Sequence, residues 1–167
     1  MAILDTHGFA CIKSSDKNTK IVSKDNSVKI NSSGDYAKIS LIGDSARIGL
    51  YGYSTKLALG GDWANVTSFG YLTKISSVGD SVEISTSDNS AKISSSGDYA
   101  KIDSTGANSV ICCVGKRSMV KARKGSWITL AEWKDNIPIC VKTEFVDGER
   151  IKEDVWYKLV NGEFVEQ

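Results

Sequence analysis

Aliphatic side chains recur at every ninth position through most of this chain. The series covers thirteen positions without a break: Ile12, Ile21, Ile30, Ile39, Ile48, Leu57, Val66, Ile75, Ile84, Ile93, Ile102, Ile111 and Val120. Because Ile, Leu and Val together make up only about a fifth of an ordinary protein, chance does not produce such a series. The period therefore indicates a structural unit of nine residues.

The repeated unit reads Gly-Asp-x-Ala-x-Ile-x-x-x, and it is clearest in the nearly identical segments 32–39 and 95–102. Side chains alternate between the two faces of a strand, so Ala37 and Ile39 are expected to point inward and Tyr36 and Lys38 outward. Gly and Asp are expected to form the turn, Gly by adopting a positive φ and Asp by bonding its own backbone.

Stacking of these units predicts an all-β fold, a β-solenoid of the β-helix or β-roll type. A single unit cannot bury its apolar face, whereas stacked units share a continuous core. Every second unit carries an outward lysine, and we call these residues the lysine column: Lys20, Lys38, Lys56, Lys74 and Lys92. The skipped units carry mixed residues, which favours two repeats per coil over three and gives about six coils.

Three segments are expected along the chain. Residues 1–30 hold degenerate repeats that would form an N-terminal cap, and residues 31–120 hold the regular solenoid. Residues 121–167 read as a small antiparallel β cap, in which Asn161-Gly162 is a strong signal for a two-residue hairpin turn. Three of the four Trp residues fall in this cap, so we expect a conventional core there.

The composition is that of a soluble protein of the cytoplasm with no membrane partner. The 167 residues carry a net charge of +1, and neither a signal peptide nor a membrane-spanning stretch is apparent. Cys11, Cys112, Cys113 and Cys140 lack metal-ligand spacing, which favours free thiols. Charge is uneven, because residues 125–167 hold nine acidic and five basic residues.

No catalytic, cofactor or metal site is predicted, and the chain is not expected to be an enzyme. His7 is the only histidine, and no nucleophile lies in a recognisable pairing with a base. The repeated Asp residues lie four positions before the aliphatic residue, whereas calcium-binding nonapeptide rolls carry Asp two positions before it. Turn formation explains these Asp residues better than metal binding.

Binding of another protein is the leading functional prediction, because a rigid rod offers a long surface at low entropic cost. Apolar residues concentrate in units 41–72, at positions that the repeat does not dictate: Leu41, Ile42, Leu50, Tyr51, Tyr53, Leu59, Trp63, Phe69, Tyr71 and Leu72. Within this set, the partner-binding residues are predicted to be Tyr51, Tyr53, Trp63, Phe69 and Tyr71.

Nucleic-acid binding is the alternative, because phosphates attract a ladder of lysines. The predicted contacts are Lys38, Lys56, Lys74, Lys92, Lys116, Arg117, Lys121, Arg123 and Lys124, the last five lying in a basic junction segment. A solvated face, on which lysines only keep the sheet soluble, is the competing structural explanation.

The tandem Gly-Asp-Tyr-Ala-Lys-Ile units followed by Lys-Gly-Ser-Trp-Ile-Thr-Leu-Ala-Glu-Trp at 124–133 resemble a group of uncharacterised nonapeptide-repeat proteins of bacteria and their phages. The resemblance covers about residues 30–167 and supplies no catalytic residues. It implies a protein encoded by a phage or mobile element, whose partner would be a host protein or a protein–nucleic-acid complex. An inhibitor of a host defence complex is the concrete expectation.

Overall fold

A computed structural model describes residues 3–4 and 11–167, and within them it contains strands and no helix. His7 and part of the expected N-terminal cap lie outside the described residues. The strands are β1 (Ile3–Leu4), β2 (Cys11–Ser14), β3 (Lys20–Ser23), β4 (Lys29–Ser32), β5 (Lys38–Leu41), β6 (Arg47–Leu50), β7 (Lys56–Leu59), β8 (Asn65–Ser68), β9 (Lys74–Ser77), β10 (Glu83–Thr86), β11 (Lys92–Ser95), β12 (Lys101–Ser104), β13 (Val110–Cys113), β14 (Met119–Ala122), β15 (Trp127–Lys134), β16 (Ile137–Phe145), β17 (Trp156–Val160) and β18 (Glu163–Glu166).

The strands stack into two parallel sheets, which confirms the β-solenoid and the two repeats per coil. Odd-numbered strands from β1 to β15 form the first sheet, and even-numbered strands from β2 to β14 form the second. Neighbours along each stack are eighteen residues apart, as in Lys38↔Lys56. The seven even-numbered strands from β2 to β14 correspond to seven coils, one more than expected. The same register already links β2 to β4, so the regular stacking begins inside the segment that was expected to form a degenerate N-terminal cap.

The core is a stack of three inward columns. All thirteen residues of the nine-residue aliphatic series are at most 3 % exposed. Small residues such as Ala37 lie two positions before each of them, as expected. The third column lies two positions after the aliphatic residue and includes Leu41, Leu50 and Leu59, which are buried rather than available to a partner. Elsewhere this third column is mostly Ser, so the central coils have the most apolar core.

The glycine column works by close approach of the backbone, so the expected role through positive φ is wrong. A Cβ atom on Gly79 would lie 1.9 Å from the carbonyl oxygen of Gly61, one coil earlier. The positive φ falls two residues after the glycine, on non-Gly residues such as Tyr36 at 58° and Trp63 at 53°. Glycine is therefore required because adjacent coils touch at this corner, where any side chain would separate them.

The Asp column joins successive coils, so the expected bond from each Asp to its own backbone is also wrong. The Asp62 carboxylate accepts a hydrogen bond from the N–H of Asp80 at 2.7 Å, eighteen residues later. The Asp80 carboxylate accepts in the same way from Asp98. Each side chain thus satisfies a backbone donor of the next coil, where the strand ladder has ended.

Two antiparallel hairpins close the C-terminal end, as the sequence predicts. β15 continues the first sheet in parallel through Leu130 and then pairs with β16, while β17 and β18 extend the second sheet. The residues that seal the coil are Val146, Ile151, Tyr157 and Leu159, all of which are buried. The Trp residues do not form the expected core, because Trp127 is exposed and Trp133 and Trp156 are only partly buried.

Candidate interaction surfaces

The lysine column forms a straight row on the outer face of the first sheet. Its five members pair in direct register along β3, β5, β7, β9 and β11, which sets neighbouring Cα atoms about 4.8 Å apart. All five side chains are exposed, and none has an ion-pair partner among the described residues. Like charges at this spacing repel each other, so the row is a strongly positive line.

The outer face of the second sheet differs because it also carries acidic residues, which compensate part of its positive charge. Lys101 pairs with Glu83 at 3.9 Å, and Lys121 pairs with Asp103 at 2.7 Å. The alternation that the sequence shows between uniform and mixed units therefore corresponds to two physically different faces of one rod.

The basic junction segment does not continue the lysine column, because it winds around the coil. Lys116 and Arg117 lie on the edge between β13 and β14, where Lys116 pairs with Asp98 and Arg117 stacks on Tyr99. Lys121 lies on the second sheet, while Arg123 follows β14 and pairs with Glu153. These cations therefore point to different sides of the rod, and most of them already contact an acidic or aromatic side chain.

Five exposed aromatic residues cluster on the edge where the chain passes from the second sheet back to the first. We call this set the aromatic edge: Tyr36, Tyr51, Tyr53, Phe69 and Tyr71. The rings of Tyr51 and Phe69 stack with centroids 5.5 Å apart, and those of Tyr53 and Tyr71 with centroids 5.7 Å apart. Tyr36 meets Tyr53 edge to face at 5.7 Å. The five rings therefore form two contacting groups on the same edge, Tyr36 with Tyr53 and Tyr71, and Tyr51 with Phe69.

The repeat itself aligns these rings. Tyr53 and Tyr71 occupy the Asp column in consecutive coils of this edge, so the coil repeat places one ring above the other. Asp35 precedes them in the same column and accepts a hydrogen bond from the N–H of Tyr53 at 3.1 Å. That bond, together with nearby Lys17, lowers the pKa of the Asp35 carboxyl. Asp35 thus remains ionised and fixes one end of the aromatic edge.

A buried carboxylate supports the other end of the aromatic edge. Asp88 is inaccessible to solvent and occupies the position that glycine holds in most coils. It accepts hydrogen bonds from the Ser68 hydroxyl and from the backbone N–H of Gly70. Because Gly70 lies between Phe69 and Tyr71, these bonds fix the backbone that carries both rings.

Trp63 lies on the opposite edge, so the five predicted partner-binding residues do not form one patch. Its neighbours there are the stacked Asp column residues Asp44, Asp62, Asp80 and Asp98. The turn that follows each strand decides which edge a residue joins, and Trp63 follows an odd-numbered strand whereas Tyr51 follows an even-numbered one. Four of the predicted residues therefore lie on the same edge, and Tyr36 is a fifth member of this set that the prediction left out.

A second apolar surface, which the sequence reasoning missed, lies at the C-terminal end of the first sheet. We call it the apolar end, and its exposed apolar members are Val110, Trp127, Val141 and Phe145, with Ile139 beside them at a β-bulge. Val110, Trp127 and Phe145 continue the lysine column in register, and the ring centroids of Trp127 and Phe145 are 5.1 Å apart. The available signal was the alternation of uncharged with charged residues along 141–145, whose uncharged side faces solvent instead of a core.

Shallow depressions lie beside these surfaces. One is floored by Gly49 on the second sheet and bordered by Asn31, Arg47, Asn65 and Tyr51. No group of three or more His, Cys, Asp or Glu residues among the described residues is placed to hold a metal ion.

The fold and these surfaces define a β-solenoid with a C-terminal antiparallel cap and distinct aromatic, cationic and apolar surfaces. Comparisons with protein-family models, curated proteins and solved structures found no match. In the described residues, no helix has the length and apolar character needed to cross a membrane.

Proposed function

We propose that this protein is a non-enzymatic binding module of the cytoplasm that docks on another protein through the aromatic edge. The observation that carries the proposal is the presence of five exposed aromatic side chains, packed in two ring groups across neighbouring coils, on one edge of a rigid rod. Tyr is among the residues that most often dominate binding energy at interfaces, because it buries a large area at low entropic cost.

Rigidity supports this function. The rings are held by stacking and by backbone that is bonded to the neighbouring coils, so little side-chain freedom remains to be lost on binding. The depression over Gly49 adjoins Tyr51, and a partner side chain inserted there would meet the Arg47 guanidinium. The partner surface is therefore expected to be apolar with an acidic or carbonyl group at its border.

The resemblance to nonapeptide-repeat proteins of bacteria and phages gives this proposal a concrete form. The protein would be encoded by a phage or mobile element and would inhibit a host nucleic-acid-handling or defence complex by occupying one of its protein surfaces. No reaction is required for such inhibition, which suits a chain whose described residues present surfaces only.

Affinity capture from host lysate, with and without nuclease treatment, tests the proposal when read by mass spectrometry. A protein partner that persists after nuclease treatment is expected. The same capture with Tyr51→Ala plus Tyr53→Ala should lose that partner. Tyr99→Ala is the matched control, since Tyr99 and Tyr51 are both 50 % exposed and Tyr99 lies on the other edge.

Retention of the partner by the Tyr51/Tyr53 double variant would contradict docking through the aromatic edge. Trp63→Ala adds information on how far the partner reaches around the rod. Loss of binding in this variant would mean that the partner also contacts the opposite edge, as the sequence-based grouping of Trp63 with Tyr51 implies.

Nucleic-acid binding through the lysine column is the second candidate, and the unpaired state of its five lysines favours it. Single-sign charge without compensation costs stability through repulsion, and a bound polyanion would relieve that cost. Binding by about five lysines should weaken steeply with salt, with a slope of roughly −3 to −5 in log affinity against log salt concentration.

Gel-shift assays with duplex DNA, single-stranded DNA and RNA separate the two candidates. Lys56→Glu plus Lys74→Glu should abolish any shift. Lys29→Glu plus Lys101→Glu changes the same amount of charge on the second sheet and serves as the control. Binding that survives the first pair of substitutions would exclude the lysine column as the nucleic-acid site.

A further inference from the structure

The apolar end is an uncharged surface on the outer face of the first sheet. On the last strands of this sheet, the outward positions carry no ionisable group other than one thiol: Val110, Cys112, Trp127, Thr129, Ala131, Trp133, Pro138, Val141, Thr143 and Phe145. Each of the five strands before β13 in the same sheet carries a lysine there. Charged residues keep ordinary sheet faces soluble, so their absence at one end requires an explanation.

The charged residues of β16 lie on the opposite face of the strand from the apolar end. Lys142 and Glu144 alternate with the exposed apolar residues and point to the other face of the strand. There Lys142 pairs with Glu163 at 2.8 Å and Glu144 pairs with Arg150. The face that carries Val141 is left apolar, while the face toward β17 and β18 is satisfied by ion pairs.

We infer that a second copy of this chain covers the apolar end, so that the protein is a two-fold symmetric dimer. Five side chains that each expose roughly 100 Å² give on the order of 500 Å² per copy, and two copies would bury about 1,000 Å², which is the lower limit expected of a specific interface. A two-fold axis through the patch matches each apolar surface with an identical one.

The lysine column determines how the two rods are arranged. Lys92 lies one coil before Val110 in the same outward column. If the two rods packed side by side along their full length, the lysine column of one copy would therefore face that of the other. An antiparallel arrangement that overlaps only at the apolar ends avoids this repulsion.

Sedimentation velocity over a concentration series tests the dimer. The wild-type chain of 18.0 kDa is expected to sediment at twice that mass. Val141→Lys should weaken dimerisation by at least about 100-fold, because a two-fold interface contains the buried charge twice. Val78→Lys is the matched control, since Val78 is 62 % and Val141 is 60 % exposed in the single chain.

Ile139→Lys provides a second disruptive variant, and circular dichroism shows whether each variant is folded. Small-angle scattering should give a maximum dimension on the order of 70 Å for the wild-type dimer and on the order of 45 Å for the monomeric variants. A wild-type monomer at all concentrations, or a dimer that folded Val141→Lys and Ile139→Lys leave intact, would overturn the inference. A dimer no longer than the monomer would overturn the antiparallel arrangement.

Discussion

Each coil depends on a glycine whose role is set by the neighbouring coil. The glycine α-carbon faces the carbonyl oxygen of the glycine column one turn earlier, at a distance that leaves no room for a methyl group. Gly60 lies one residue before this column, and a Cβ atom on it would meet nothing closer than 3.6 Å. Two adjacent glycines, Gly60 and Gly61, therefore have very different structural roles.

Replacement of Gly79 by Ala should destabilise the protein by about 2–3 kcal/mol, because the added methyl group forces two coils apart. Replacement of Gly60 by Ala should change the free energy of unfolding by less than about 0.5 kcal/mol or raise it slightly. Urea unfolding of both variants measures the difference. Equal effects would show that neither glycine is fixed by close approach.

Cys113 is a buried thiol within the core, and burial raises its pKa from 9.0 to about 12. Above pH 9 the thiol of the unfolded chain ionises while that of the folded chain stays neutral. Its contribution to stability is therefore complete below pH 9 and is lost as the pH rises toward 12.

The free energy of unfolding should thus fall between pH 9 and pH 12, and Cys113→Ala should make that fall less steep. The variant also loses core packing at every pH, so the slope is the informative quantity and not the offset. A thiol reagent at pH 8 should modify exposed Cys11 in the native state and Cys113 only after unfolding. An unchanged slope in Cys113→Ala would contradict the assignment.

At the scale of the element, hydrogen-bond acceptors join most of the turns, and ionic pairs such as Lys116 with Asp98 join only some of them. Asn26 and Asn89 hold the same place as the Asp residues and accept hydrogen bonds from backbone N–H groups one coil later, at 2.8 Å and 2.9 Å. The carbonyl-type oxygen is thus the shared requirement, and negative charge is not.

Asp80→Ala should lower the free energy of unfolding by about 1 kcal/mol, because the N–H of Asp98 loses its acceptor. Asp80→Asn should be neutral or slightly stabilising, since it keeps the acceptor and removes repulsion between stacked carboxylates. Thermal unfolding at low and high salt compares the two variants. An Asn variant as unstable as the Ala variant would assign the effect to charge.

Much of this element-scale architecture could be predicted from the sequence. The nine-residue series identified the core column, and the alternation between the lysine column and mixed units identified two repeats per coil. The roles of Gly79 and Asp80 could not be predicted, because both depend on a contact with residues eighteen positions away. Leu41 stood in the sequence-based set of irregular positions, in which inward and outward members could not be separated, and its column proved to be the third inward one.

The interaction surfaces were less predictable for a related reason. A list of exposed aromatic residues does not specify the edge on which each one lies, and Trp63 separates from Tyr51 only when the order of strands and turns is fixed. The apolar end was hidden because Trp127 and Phe145 come from two strands whose antiparallel pairing the period does not describe.

At the scale of the whole molecule, each side of the rod carries a different chemistry. The aromatic edge, the stacked Asp residues of the opposite edge, the lysine column and the charge-paired second sheet occupy four separate directions, and the apolar end occupies one terminus. A dimer joined at that terminus would present two aromatic edges on rods that point apart. Such a pair would bind a symmetric or repeated target with avidity well above that of a single copy.

Deletion of residues 79–96 tests the coil as the unit of construction, because it removes eighteen residues and joins equivalent positions of the same edge. The shortened chain should fold, keep the lysine column continuous and retain its state of association. Deletion of residues 79–87 is the control. It removes half a coil and transfers every later strand to the other sheet. Lys101 then takes the place of Lys92, while buried Asp88 moves to the opposite edge and loses Ser68 and Gly70, which should lower the melting temperature strongly.

The eighteen-residue register also constrains how such a chain can change its length in evolution. An in-frame gain or loss of eighteen codons alters the reach of the rod by about 4.8 Å and leaves every surviving side chain facing its former direction. A change of nine codons would exchange the two faces beyond the break. Variants of this scaffold can thus be matched to longer or shorter targets by whole coils, with the chemistry of each side inherited unchanged.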